Sequence, residues 1–296
     1  MSKKNEYIFK GLLKTDKYDY IITINTSQLS KNGETIVYSR YFNLGAYTSD
    51  SGEKKTCVDI YVMYPEFQNV MPNVNYKIAK LITTHYNEKC SVNEKLERGE
   101  GTQHMINTAM YFVSKMCPFI EGFDINDAST RQCDNNTTII LSYFSITNYG
   151  KTWYEKNFKA YIADKDKRNK YENIISELLM RELPDWDIFE AMFLRNVNKD
   201  IKIILKNIYD ISKTYKLLFK NIHNEGISKA CIYLQPWIEQ LMLSTDLRNY
   251  VMFTQWIIPV ESVKRVALIN YKKDFSGRLE NYKEYTGENI NAINKI

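Results

Sequence analysis

The sequence predicts an α+β protein. A mixed, mainly antiparallel sheet with helices is expected over residues 1–165, a helical domain over 166–265 and a polar tail over 266–296. Three observations carry this. Runs rich in β-branched and aromatic residues recur between positions 18 and 86 and have strand composition. One strongly amphipathic helix follows a glycine turn at Gly99-Glu100-Gly101. From Tyr171 onward, apolar residues recur at helical spacing.

Tyr18–Ile24 reads as the first strand. Asn32-Gly33 is a hairpin signal, and Thr35–Phe42 is the partner strand. Cys57–Tyr64 and Tyr76–Tyr86 complete an antiparallel meander. Met105, Ala109, Phe112 and Met116, flanked by Ile106, Met110 and Val113, give one wide apolar helix face that Pro118 ends. Phe119–Ile125 is a strand weakened by Gly122, and residues 128–137 are a polar loop. Thr138–Ile146 reads as the strongest strand of the chain. Thr152 and Glu155 are spaced as a capping box, so a short helix starts there, and Phe158–Ile162 is a last strand. Beyond it, helices are expected from Tyr171, over Ile188–Phe193, from Ile201 through Phe219, across Ile232–Leu241 with a break at Pro236, and at Tyr250–Ile257.

A length of 296 residues suits about two domains, and 44% hydrophobic content supplies their cores. No apolar run is long enough to span a membrane, and no apolar segment follows the charged N-terminus as in a secretory signal. The net charge of +5 is mild and spread along the chain, so nucleic-acid binding is not indicated. Cys57, Cys90, Cys117, Cys133 and Cys231 are odd in number and widely spaced, and His85, His104 and His223 are scattered. The expectation is no disulfide, no metal, and an intracellular, cytoplasmic location.

Two segments carry chemistry. In Arg98-Gly99-Glu100-Gly101-Thr102-Gln103 a glycine turn opens a helix. Converging backbone N–H groups and the positive helix end suit a pyrophosphate, and Arg98 can add a bidentate contact. Glu100 opposes this unless it turns outward. The bland reading is a tight turn at a helix start. The second segment, Gly150-Lys151-Thr152-Trp153-Tyr154-Glu155-Lys156-Asn157-Phe158, is on its own a capped short helix with packing aromatics.

In this order the two segments resemble the GNAT superfamily of acyl-CoA-dependent N-acyltransferases. That family has early antiparallel strands, then a strand, a turn of the form Arg/Gln-x-x-Gly-x-Gly/Ala, a helix, a further strand, and a helix often written Tyr-Glu-Lys-x-Gly-Phe. The turn here matches at its first and fourth positions, with Gln103 at the sixth; the later motif lacks the glycine. The resemblance implies that Arg98, Gly99, Gly101, Thr102 and Gln103 bind acetyl-CoA and that Tyr154 protonates the leaving thiolate. With its Lys-, Asn-, Ile- and Tyr-rich composition, the pattern resembles a divergent GNAT-like protein of a large DNA virus, which would place it in host cytoplasm or virion. Two rivals stand beside transfer. In one, Cys90, Cys117 or Cys133 pairs with His85 or His104 as a thiol hydrolase. In the other, the scaffold is non-catalytic and its helical domain meets a protein partner.

Overall fold

The computed structural model describes residues 3–31, 34–67, 71–126 and 129–267. The chain divides into two compact units, Met1–Ile125 with Ile258–Ile296, and Asn126–Ile257. The break thus falls at Asn126, and residue 165, the boundary expected from sequence, lies inside the second unit. The elements after Asn126 gather around one another, with one helix (residues 141–149) packing on later helices of the same unit. Most of the expected tail lies outside the described residues.

The first unit is α+β. Strands β1 (Lys3–Lys14), β2 (Asp19–Lys31), β3 (Glu34–Thr48), β4 (Lys54–Met63) and β5 (Ile78–Thr84) are antiparallel neighbours in that order. Helix α1 (Glu100–Met116) then leads to β6 (Gly122–Ile125), which runs parallel to β5, with Ile78 opposite Gly122. The expected Asn32–Gly33 turn lies outside the described residues; the strands beside it pair, with Lys31 opposite Glu34. Strand β1 was not expected. It is the sheet's edge, where lysines such as Lys10 and Lys14 are tolerated and even protective, so it carries no clean alternation.

Period-two alternation builds the core. Ile22, Ile24, Phe42, Leu44, Val58, Ile60 and Val62 are buried, and the register sets Phe42 beside Ile24 and Ile60. Met105, Ala109, Phe112 and Met116 of α1 are buried as the helix pattern required. Phe112 meets Phe42 edge to face at 6.3 Å. Each such side chain contributes roughly 1.5–3 kcal/mol by leaving water. The returning chain is clamped to α1 by Asn107: its Nδ2 donates to the Lys264 carbonyl and its Oδ1 accepts from the Lys264 N–H, both at 2.8 Å.

The second unit begins with a hairpin of β7 (Thr130–Gln132) and β8 (Thr138–Ile140). It continues through α2 (Leu141–Tyr149), α3 (Trp153–Phe158), β9 (Tyr161–Ile162), α4 (Lys165–Met180) and α5 (Trp186–Phe193). Next come α6 (Lys199–Asp210), α7 (Tyr215–Asn224), α8 (Ile227–Leu234), α9 (Ile238–Ser244) and α10 (Leu247–Met252). Strand β10 (Trp256–Pro259) pairs with β9 through Trp256 and Ile257 and carries the chain back to the first unit. The strand expected over Thr138–Ile146 is corrected: only its first three residues are strand. Ser142 through Thr147 are all buried in α2, so the helix shows no amphipathic period, and its β-branched and aromatic content reads as strand. Gly150, at φ +67°, caps it in the left-handed conformation that glycine adopts without strain. The helix expected from Ile201 through Phe219 is two, because Thr214 caps α7 by accepting from Leu217 N–H.

Two disulfides correct the cysteine expectation. Cys57 is bridged to Cys90 and Cys133 to Cys231, leaving Cys117 as a free, buried thiol. Bridges persist in oxidising surroundings, so the cysteine spacing no longer argues for a reducing compartment. Among the described residues no helix is long and apolar enough to cross a membrane.

His223 on α7 predicts an acid-sensitive second unit. Its Nε2 lies 3.0 Å from Thr147 Oγ1, its ring meets Phe144 edge-on, and Nδ1 is buried without a partner. Burial pushes its pKa down to about 4, while the unfolded chain titrates near 6.5. Between these values the unfolded state binds the proton first. The contribution is therefore full above pH about 6.5 and is lost as pH falls toward about 4. Discounted for partial exposure, it amounts to about 2 kcal/mol. Urea midpoints at pH 7 and pH 4.5 should separate more for the wild type than for His223→Gln; equal separations would contradict this.

Candidate functional site

The turn that opens α1 is the site expected from sequence. Gly99 is the N-cap, at φ +89°, and makes no side-chain cap bond. The first intrahelical bond runs from Gln103 N–H to the Gly99 carbonyl at 2.9 Å. The N–H groups of Glu100, Gly101 and Thr102 therefore have no acceptor within the helix. Arg98 is exposed and rests its guanidinium over the Tyr86 ring at 5.6 Å.

The two glycines differ. A Cβ at Gly99 would meet nothing within 4 Å, whereas one at Gly101 would lie 3.1 Å from Leu96 Cγ and 3.3 Å from Tyr18 Oη. Leu96 and Tyr18 are both buried, so the space beside Gly101 is occupied by the protein's own core. Glycine is there because the helix start packs closely on them. Glu100 does turn outward, to 3.8 Å from Lys17 Nζ, and Glu97 lies 3.3 Å from the same ammonium. Both pairs are solvent-exposed and contribute at most about 1 kcal/mol each. Two carboxylates thus already stand at the positive end of the helix.

One turn into α1, His104 belongs to an array absent from the sequence reading of the turn. Its Nδ1 lies 3.0 Å from the buried Tyr20 hydroxyl and its Nε2 lies 3.6 Å from Asp16 Oδ1. With Nε2–H facing Asp16, Nδ1 accepts from Tyr20. Tyr20 is fully buried, and burial holds its hydroxyl far above the usual tyrosine range, so the array anchors the helix start and offers no nucleophile.

Tyr154 lies in the second unit. The capping box is present as read: Thr152 Oγ1 accepts from Glu155 N–H, and Glu155 Oε2 accepts from Thr152 N–H. Tyr154 is 4% exposed and packs edge-on to Trp153 at 4.9 Å. The turn residues and Tyr154 therefore belong to different compact units.

A cleft of about 480 Å³ beside the capping box was not foreseen; Lys151, Glu155, Lys159, Tyr171, Glu172 and Ser176 line it. Burial raises the Glu155 carboxyl above its ordinary value, although it accepts from the Tyr171 hydroxyl at 2.6 Å. The signal in the sequence was the capping Glu155 itself, which a structural role fully explained.

The thiol-hydrolase reading is corrected. Cys90 and Cys133 are consumed in bridges. Cys117 lies 3.3 Å from the Tyr64 hydroxyl, and burial pushes its thiol up to about 11, the opposite of an activated cysteine. Among the described residues no cluster of three or more His, Cys, Asp or Glu is placed to hold a metal. Compared with known proteins, the chain matches no family profile, no curated protein and no solved structure.

Proposed function

We propose that this chain is a GNAT-like scaffold used to bind a protein partner and not to transfer acyl groups. The observation that carries this reading is the packed side of Gly101, where a Cβ would lie 3.1 Å from Leu96 Cγ and 3.3 Å from Tyr18 Oη, so that this glycine serves close packing. The carboxylates of Glu97 and Glu100 at the same helix end support it, since they repel phosphate. Burial of Tyr154 among aromatic rings supports a packing role for that residue. The second unit supplies apolar surface for a partner: Ile188 and Met192, one turn apart on α5, are 51% and 53% exposed.

The second reading, an acetyl-CoA-dependent N-acyltransferase, rests on the open side of Gly99 and the free amides of the first turn of α1. The order of antiparallel strands, turn, helix and parallel strand also fits it. Arg98, Gly99, Gly101, Thr102 and Gln103 would then hold the cofactor and Tyr154 would be the proton donor. Calorimetric titration with acetyl-CoA to about 1 mM separates the two, since a Kd of that order still binds half the protein. The expected result is no saturable heat. Saturable heat would overturn the scaffold reading, and Tyr154→Phe should then bind normally and transfer slowly.

A further inference from the structure

Arg40 sits on β3 with Phe42 and Leu44 on the face that α1 covers, opposite Thr26 of β2 and Val62 of β4. It is 4% exposed, and its Nε and Nη1 are buried with no hydrogen-bond partner. Three of the five N–H donors of a guanidinium reside on those two atoms. Among the described residues no carboxylate forms an ion pair with it. A permanent cation in this position is costly, because buried charges are normally paired and hydrogen-bonded.

Its surroundings ease that cost without pairing it. The guanidinium carbon lies 5.2 Å from the centre of the Tyr64 ring. The Tyr64 hydroxyl in turn meets Cys117, the C-cap of α1, so the negative end of the helix lies near. Cys117 is a protonated thiol at neutral pH, and Glu66, the charged group felt by Tyr64 from outside, is exposed. Neither supplies a buried counter-charge. Tyr64 is partly buried, between Arg40 and Phe119, whose ring meets it edge-on at 5.2 Å and is also partly exposed.

We propose that Arg40 forms the floor of an anion site closed by the Tyr64 ring, which turns aside to admit the carboxylate or phosphate group of a ligand. The guanidinium suits either oxyanion, because its N–H fork matches both. The site is independent of the turn discussed above: α1 is 17 residues long, so its two ends lie about 25 Å apart.

The test is thermal melting of the full chain and of Arg40→Met at constant ionic strength, with chloride exchanged for phosphate or for acetate. Phosphate stabilises many proteins without binding, so the difference between the two chains is what counts. In the wild type the effective anion should raise Tm saturably, by about 3 °C or more. Arg40→Met should lack that component. A rise with phosphate alone assigns a phosphate ligand; a rise with acetate as well assigns a carboxylate. Equal anion dependence in both chains would overturn the proposal. Should Arg40→Met fail to fold, the Nε–H resonance of Arg40 in the wild type serves, assigned through Arg40→Lys. It should move saturably with the anion, and a stationary resonance would overturn the proposal.

Discussion

Reducing the Cys133–Cys231 bridge should cost the second unit about 4–5 kcal/mol. The bridge joins positions 98 residues apart, and closing a loop of that length removes conformational entropy from the unfolded chain worth about 4.7 kcal/mol in the chain-entropy picture. Cys133 lies in the loop of the β7–β8 hairpin and Cys231 on α8, so the bridge spans most of the unit. The Cys57–Cys90 bridge closes 33 residues and should contribute somewhat less, about 3–4 kcal/mol. Urea unfolding of Cys133→Ala should match that of the reduced wild type in the second-unit transition, with Cys231→Ala the same within error. An unchanged midpoint with reductant would contradict this contribution.

Trp237→Ala should destabilise the same unit by about 3–5 kcal/mol. The indole is 1% exposed. It lies parallel to Phe219 at 6.3 Å, and Phe189 meets it edge-on at 5.3 Å. Its Nε1–H donates to the Tyr233 carbonyl at 2.7 Å. Alanine would leave a cavity lined by rigid rings from α5 and α7, which cannot close over it without leaving their own packing. Trp237→Phe keeps a ring and loses the hydrogen bond, so it should cost roughly half as much. Denaturant midpoints measure both. A loss below about 1 kcal/mol for Trp237→Ala would show that this cluster is not the core of the unit.

Where one face is buried, the sequence carried the fold plainly. Met105, Ala109, Phe112 and Met116 announced α1, and Thr152 with Glu155 announced α3 down to its cap. Legibility failed where periodicity vanishes. Helix α2 is buried on nearly all sides, so Ser-Tyr-Phe-Ser-Ile-Thr has no period to read. Strand β1 failed for the opposite reason, as an edge strand whose lysines interrupt the alternation. The bridges were illegible because pairing depends on distance in the fold, which spacing along the chain does not give. At the candidate site, Gly99 and Gly101 look alike in sequence. Only packing separates an open cap from a glycine pressed by Leu96 and Tyr18. Arg40 was unreadable too, since nothing in its neighbours along the strand marks its side chain as buried and unpaired.

In the scaffold reading, the start of α1 is built for packing and not for a cofactor. The most direct measurement is the amide NMR spectrum of the full chain during titration with acetyl-CoA, read at Gly99, Glu100, Gly101 and Thr102. These are the groups a pyrophosphate would engage through the free N–H ends of the helix. The four resonances should stay in place up to about millimolar ligand. Saturable downfield movement of these amides together would contradict that reading and establish the turn as a cofactor cradle.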